Sequence, residues 1–173
     1  MPRGFTRHSK RWMLSILALA VLLVVQYLFP PQHPASPTPL PEGTRRVERV
    51  VDGDTLMMEG GIRLRLQGID APETVKPDSP VEPWGPEASE YTRTFVAQAD
   101  SRVGLTYSNE RLDQYGRHLA FVWHGERLLN EELVREGLAH ARLGYRYSDT
   151  MKRRLAAAQE EARRERRGIW SQP

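Results

Sequence analysis

Between Arg46 and Leu66, three short stretches rich in β-branched and apolar residues follow one another at turn spacing, and they restrict the fold more than any other feature of the chain. Val47, Val50 and Val51 make the first, Thr55–Met58 the second and Ile62–Leu66 the third. Asp52-Gly53 and Gly60-Gly61 lie between them, and such pairs supply the tight turns that join antiparallel strands. The folded part of the chain is therefore expected to open as a meander. In the third stretch Ile62, Leu64 and Leu66 alternate with Arg63, Arg65 and Gln67, which sets the leucines on one face and both arginines on the other.

A loop rich in proline and charge follows from Ala71 to Pro83, and Gly85-Pro86-Glu87 opens a helix to about Ala99. Arg102–Tyr107 and His118–Trp123 read as two further strands. Asn130 is expected to cap a helix through Glu136 closed by Gly137, and Ser148 or Asp149 a last helix through Arg167 closed by Gly168. Three strands, a helix, two strands and two helices suit a small five-stranded antiparallel barrel of the OB type with helices packed on it. The chain has no cysteine, which excludes disulfides, a thiolate nucleophile and Cys-based metal sites.

Ahead of this domain, residues 1–11 are basic, 12–29 are apolar apart from Ser15 and Gln26, and 30–45 form a proline-rich linker, leaving 46–173 as the domain. A helix over 12–29 would reach roughly 27 Å, near the thickness of a bilayer core. Cations before the run favour the N-terminus inside and the domain on the extracytoplasmic side. The competing reading is a cleaved signal peptide, which would release the domain as a secreted protein. The segment after the run offers no good small-x-small cleavage site, and a retained membrane anchor is favoured. The leader also holds Arg3, Arg7, Lys10 and Arg11 and no acid, so the remaining 21 cations face 22 acids. The basic pI of about 9.4 thus belongs to the leader, and any positive field on the domain is local.

Two turns bear carboxylates: DGDT (Asp52–Thr55) between strands, and DAPE (Asp70–Glu73) after the third. If the meander brings them to one end of a barrel, Asp54, Asp70 and Glu73 form a set of oxygen ligands suited to a hard cation such as calcium. Either motif alone is an ordinary turn former. Arg65 lies a few residues before DAPE, and Arg117 closes the turn DQYGR (Asp113–Arg117). Metal-assisted phosphodiester hydrolysis uses an ion to polarise the phosphoryl oxygens, a carboxylate to activate water and cationic donors for the charge that builds up, and these residues can supply the ligands, the carboxylate and the donors.

DGDT, RLQGIDAPET, VEPWGPEAS, DQYGRHLAFVW, NEELVREGLA and a terminal GIW, in that order, resemble the staphylococcal nuclease family over roughly residues 46–170. The resemblance implies an OB-type five-stranded Greek-key barrel with three helices. It also implies calcium-dependent endonuclease activity on DNA and RNA without strict sequence specificity, preferring single strands, in a monomer. By the same resemblance Asp54, Asp70 and the main-chain carbonyl of Ala71 would ligate calcium, and Asp52 would support them from behind. Glu73 would act as general base on an ion-associated water, Arg65 and Arg117 would bind phosphate, and Tyr115, Tyr145 and Tyr147 would line the nucleotide pocket. Two departures stand out: the segment His140–Tyr147 is about two residues longer than the family pattern, and Gln114 replaces a usual lysine. The alternative is a non-catalytic OB-type module that binds nucleic acid at the membrane.

Overall fold

The computed structural model describes residues 39–74 and 81–171. Strand β1 (Gly43–Asp52) pairs antiparallel with β2 (Thr55–Met58), and β2 with β3 (Ile62–Leu66), as the meander requires. β1 starts at Gly43, so the boundary expected at 45/46 falls inside a strand. Its first four residues pair with β5 (Arg102–Thr106), and the remainder with β2 across irregularities between Val47 and Arg49 and between Val50 and Asp52. Such bulges bend and twist a strand, which lets β1 turn the corner of a barrel and serve both neighbours.

β6 (His118–His124) pairs antiparallel with β5 and parallel with β3, closing a ring of five strands in the order β1-β2-β3-β6-β5. The expected all-antiparallel barrel is corrected at this one seam. A closed ring with an odd number of strands cannot alternate direction throughout, so one pairing has to be parallel. Short β7 (Arg127–Leu128) folds back antiparallel on the end of β6, and β4 (Ile69–Asp70) pairs antiparallel with β8 (His140–Ala141) in a separate ribbon too short to leave a pattern in the sequence.

Alternation holds along β3, whereas β6 buries Ala120, Phe121 and Val122 in succession beneath the helices. Leu56, Met58, Leu64, Leu66, Val103, Leu105 and Phe121 are buried, while Arg63 is exposed and Arg65 half-buried. Helix α1 (Gly85–Gln98) covers one side with Ala88, Phe95 and Val96; α2 (Leu129–Arg135) contributes Leu129, Leu133 and Val134; α3 (Asp149–Arg164) contributes Leu155, Ala158 and Ala162. Ser148 caps α3, its Oγ accepting the Met151 N–H at 3.3 Å. That helix stops at Arg164, short of the expected Arg167, because Arg166 takes a left-handed conformation and a 3-10 turn follows at Gly168–Trp170. Gly137 and Gly168 meet back to back: a Cβ on either would come within 2.2 Å of a main-chain oxygen of the other's segment.

Asn130 does not cap α2. The helix begins one residue earlier, and the buried amide ties it to the barrel by accepting the Val122 N–H at 3.0 Å and donating to the carbonyls of Gln67 (2.9 Å) and Ala120 (3.3 Å). The expected membrane helix at 12–29 lies outside the described residues; among those described, no helix is long and apolar enough to cross a membrane.

Candidate active site

The DGDT turn is held from behind by α1. Gly53 is required there, since a Cβ would meet the side chains of Ala88 at 2.7 Å and Ala71 at 2.9 Å. Thr92 of α1 donates its hydroxyl to the Gly53 carbonyl at 2.6 Å. The next side chain, Asp54, is 1% exposed. Its Oδ2 accepts the Ala71 N–H at 2.7 Å, its Oδ1 accepts the Thr55 hydroxyl at 3.2 Å, and its own N–H donates to Asp52 Oδ1 at 3.2 Å. Burial pushes the Asp54 carboxyl up to about 7, against the lowering effect of Arg65 and with a further raise from Asp52.

Arg65 sits opposite Thr55 in the β2–β3 register, which carries its guanidinium to Asp54. One of its nitrogens pairs with Asp54 Oδ1, and the other with Asp70 Oδ1 at 2.5 Å. The two aspartates, from separate turns, thus converge on one cationic group. Asp70 is presented by the β4–β8 ribbon, whose far side brings Arg142 onto Asp70 Oδ2. Sequence reasoning missed Arg142; strands of two residues have no period to read, and only their pairing brings this arginine to the site. The DAPE segment then lies on the start of α1, where a Cβ on Gly85 would approach the carbonyl oxygens of Pro72 and Glu73 to 3.1 and 3.2 Å. Glu73 Oε1 accepts the Thr74 N–H at 3.2 Å, and the Glu73 main chain exchanges hydrogen bonds with Glu82.

A cleft of about 640 Å³ opens over these groups, lined among others by Arg65, Asp70, Glu73, Tyr115, Arg117 and Tyr145. Arg117 is fixed by Asp113, whose carboxylate accepts its Nε–H at 2.6 Å and the N–H groups of Arg117 and Tyr115 at 2.9 Å each. Burial alone would raise the Asp113 pKa, but these donors and the guanidinium outweigh it and hold the carboxyl below its usual range. Tyr115 and Tyr145 are 75% and 61% exposed, and Arg117 lies 5.6 Å from the Tyr115 ring centroid. Tyr147 is corrected: only 3% exposed, it packs edge-on to Phe121 at 6.0 Å and against Gly68, so its ring belongs to the core and offers no face to a base.

Among the described residues, no three His, Asp or Glu side chains gather as a complete metal-ligand set. The donors that do converge are oxygens only, from Asp54 and Asp70 with Ala71 beside them, and that chemistry fits a hard cation. Arg65 lies between the two carboxylates, and its positive charge offsets their mutual repulsion.

The model of a family described as Staphylococcal nuclease homologue matches residues 63–172. The Thermonuclease of Staphylococcus hyicus is 38% identical over 161 residues, covering 90% of this chain and 94% of its own length. The Thermonuclease of Staphylococcus intermedius is 38% identical over 160 residues with the same coverage. The SPbeta prophage-derived endonuclease YokF of Bacillus subtilis (strain 168) is 35% identical over 132 residues, covering 72% of this chain and 43% of the longer relative.

Proposed function

The chain belongs to the staphylococcal nuclease family, and from that membership we propose that it is a calcium-dependent endonuclease hydrolysing phosphodiester bonds of DNA and RNA without strict sequence specificity. The observation that carries this reading is Arg65 bridging Asp54 and Asp70 at a cleft that Glu73 and Arg117 also line. The relatives named Thermonuclease and endonuclease support it.

Asp54, Asp70 and the Ala71 carbonyl would hold the ion, which when bound polarises a phosphoryl oxygen and acidifies an adjacent water. Glu73 takes the proton of the attacking water. Arg65 and Arg117 donate to the phosphoryl oxygens as charge accumulates, and Asp113 keeps Arg117 aimed for that contact. Tyr115 and Tyr145 offer exposed rings on which any unpaired base can stack, which supports broad sequence tolerance and a preference for single strands. Residues 12–29 would tether the domain, as a monomer, to the extracytoplasmic face of a membrane.

The test is incubation of the full-length chain with a single-stranded oligonucleotide in millimolar calcium or in EDTA. Cleavage in calcium that EDTA abolishes is expected. An oligonucleotide left intact in calcium refutes the proposal, and binding that ignores EDTA would instead favour the non-catalytic module.

A further inference from the structure

Asp70 differs from Asp54 in carrying a second guanidinium that the proposed chemistry does not use. Arg65 engages its Oδ1 and Arg142 its Oδ2. The segment bearing Arg142 is fixed in position. The Arg142 N–H donates to the Gly68 carbonyl at 2.8 Å, the Ala141 N–H donates to Gln159 Oε1 at 2.9 Å, and His140 and Ala141 pair with Asp70 and Ile69. Both oxygens of Asp70 are thus paired with cations, and a metal ion ligated by this carboxylate competes with them for its negative charge. The two arginines are unequal. The Arg65 side chain is 18% exposed and holds Asp54 as well, whereas that of Arg142 is 48% exposed and can be solvated as soon as it lets go.

We propose that Arg142 is a cationic latch on Asp70: it neutralises the carboxylate while no divalent ion is bound, turns out into solvent when one arrives, and so sets the calcium concentration at which the site fills. The latch rests on the calcium reading above and adds regulation of that site by a positioning residue, since Arg142 acts through Asp70 rather than on substrate. Removing a competing cation from a carboxylate has a definite sign: it favours the metal ion.

The experiment is calorimetric titration of calcium into the full-length wild type and the variants Arg142→Gln, Arg142→Lys and Arg146→Gln, with no substrate present. Arg142→Gln is expected to bind calcium about three- to tenfold more tightly, the scale of losing one partly exposed ion pair. Arg142→Lys, which retains the charge, is expected within about twofold of wild type, as is Arg146→Gln, which removes the neighbouring cation of the cleft but not the pair with Asp70. If Arg142→Gln binds no more tightly than wild type, or if Arg146→Gln tightens binding equally, the latch is overturned and the proposed activity stands. Wild type that takes up no calcium overturns both.

Discussion

Single residues decide the chemistry here, and they differ in how openly the sequence announces them. Arg65 could be read from its alternation with Leu64 and Leu66, and Asp54 from its turn; the structure brings both onto one ion-paired group with Asp70. Tyr147 could not be separated from Tyr145 by reading, because an aromatic suits either a pocket or a core, and the decision lies in tertiary packing against Phe121 and Gly68. His118 shows a similar hidden role: it is buried, and its Nδ1 accepts the Leu40 N–H at 3.2 Å, which requires the unprotonated ring. Burial lowers its pKa below the ordinary 6.5. The unfolded chain therefore binds the extra proton first, and stability falls as pH drops through that ordinary value. Thermal melts between about pH 7 and pH 5 should show a Tm decline that is steeper in wild type than in His118→Gln. Equal slopes would mean that His118 titrates alike in both states.

At the scale of elements, the meander, α1 and the two C-terminal helices were legible because their periods and turn residues are strong. The β4–β8 ribbon was not, being too short to have a pattern, and with it went the position of Arg142. Asn130 was misassigned for a related reason: a polar amide at the start of an apolar run looks like a helix cap, and only the packed structure reveals it as a three-way tie between α2, the end of β3 and β6. Its loss leaves buried backbone groups of Gln67, Ala120 and Val122 without that partner. Asn130→Ala should lower unfolding stability by about 2–4 kcal/mol, read from the urea midpoint. A change under about 0.5 kcal/mol would show that the tie is dispensable.

For the molecule as a whole, charge constrains what holds a nucleic acid. Outside residues 1–41 the chain carries 21 basic against 22 acidic residues, so no broad positive field is available. On α3 and just after it, Arg163 and Arg167 already pair with glutamates of the same segment, and Arg154 pairs across to Glu131 of α2. Binding should therefore rest on Arg65 and Arg117, with roughly two counterions released. At fixed calcium, log(kcat/KM) on a single-stranded oligonucleotide should fall with log salt at a slope of about −1 to −2. A slope of about −4 or steeper would mean that the basic side of α3 takes part.

The proposal that Glu73, Arg65 and Arg117 act on one phosphate beside an ion held by Asp54 and Asp70 is tested most directly by single-turnover cleavage of a single-stranded oligonucleotide in saturating calcium. Wild type is compared with Glu73→Gln and Arg117→Ala, with folding checked by circular dichroism. Each variant is expected to retain its fold and lose about 10²-fold or more in rate, as when a positioned base or a charge donor is deleted. Folded variants that cleave at the wild-type rate would contradict the account.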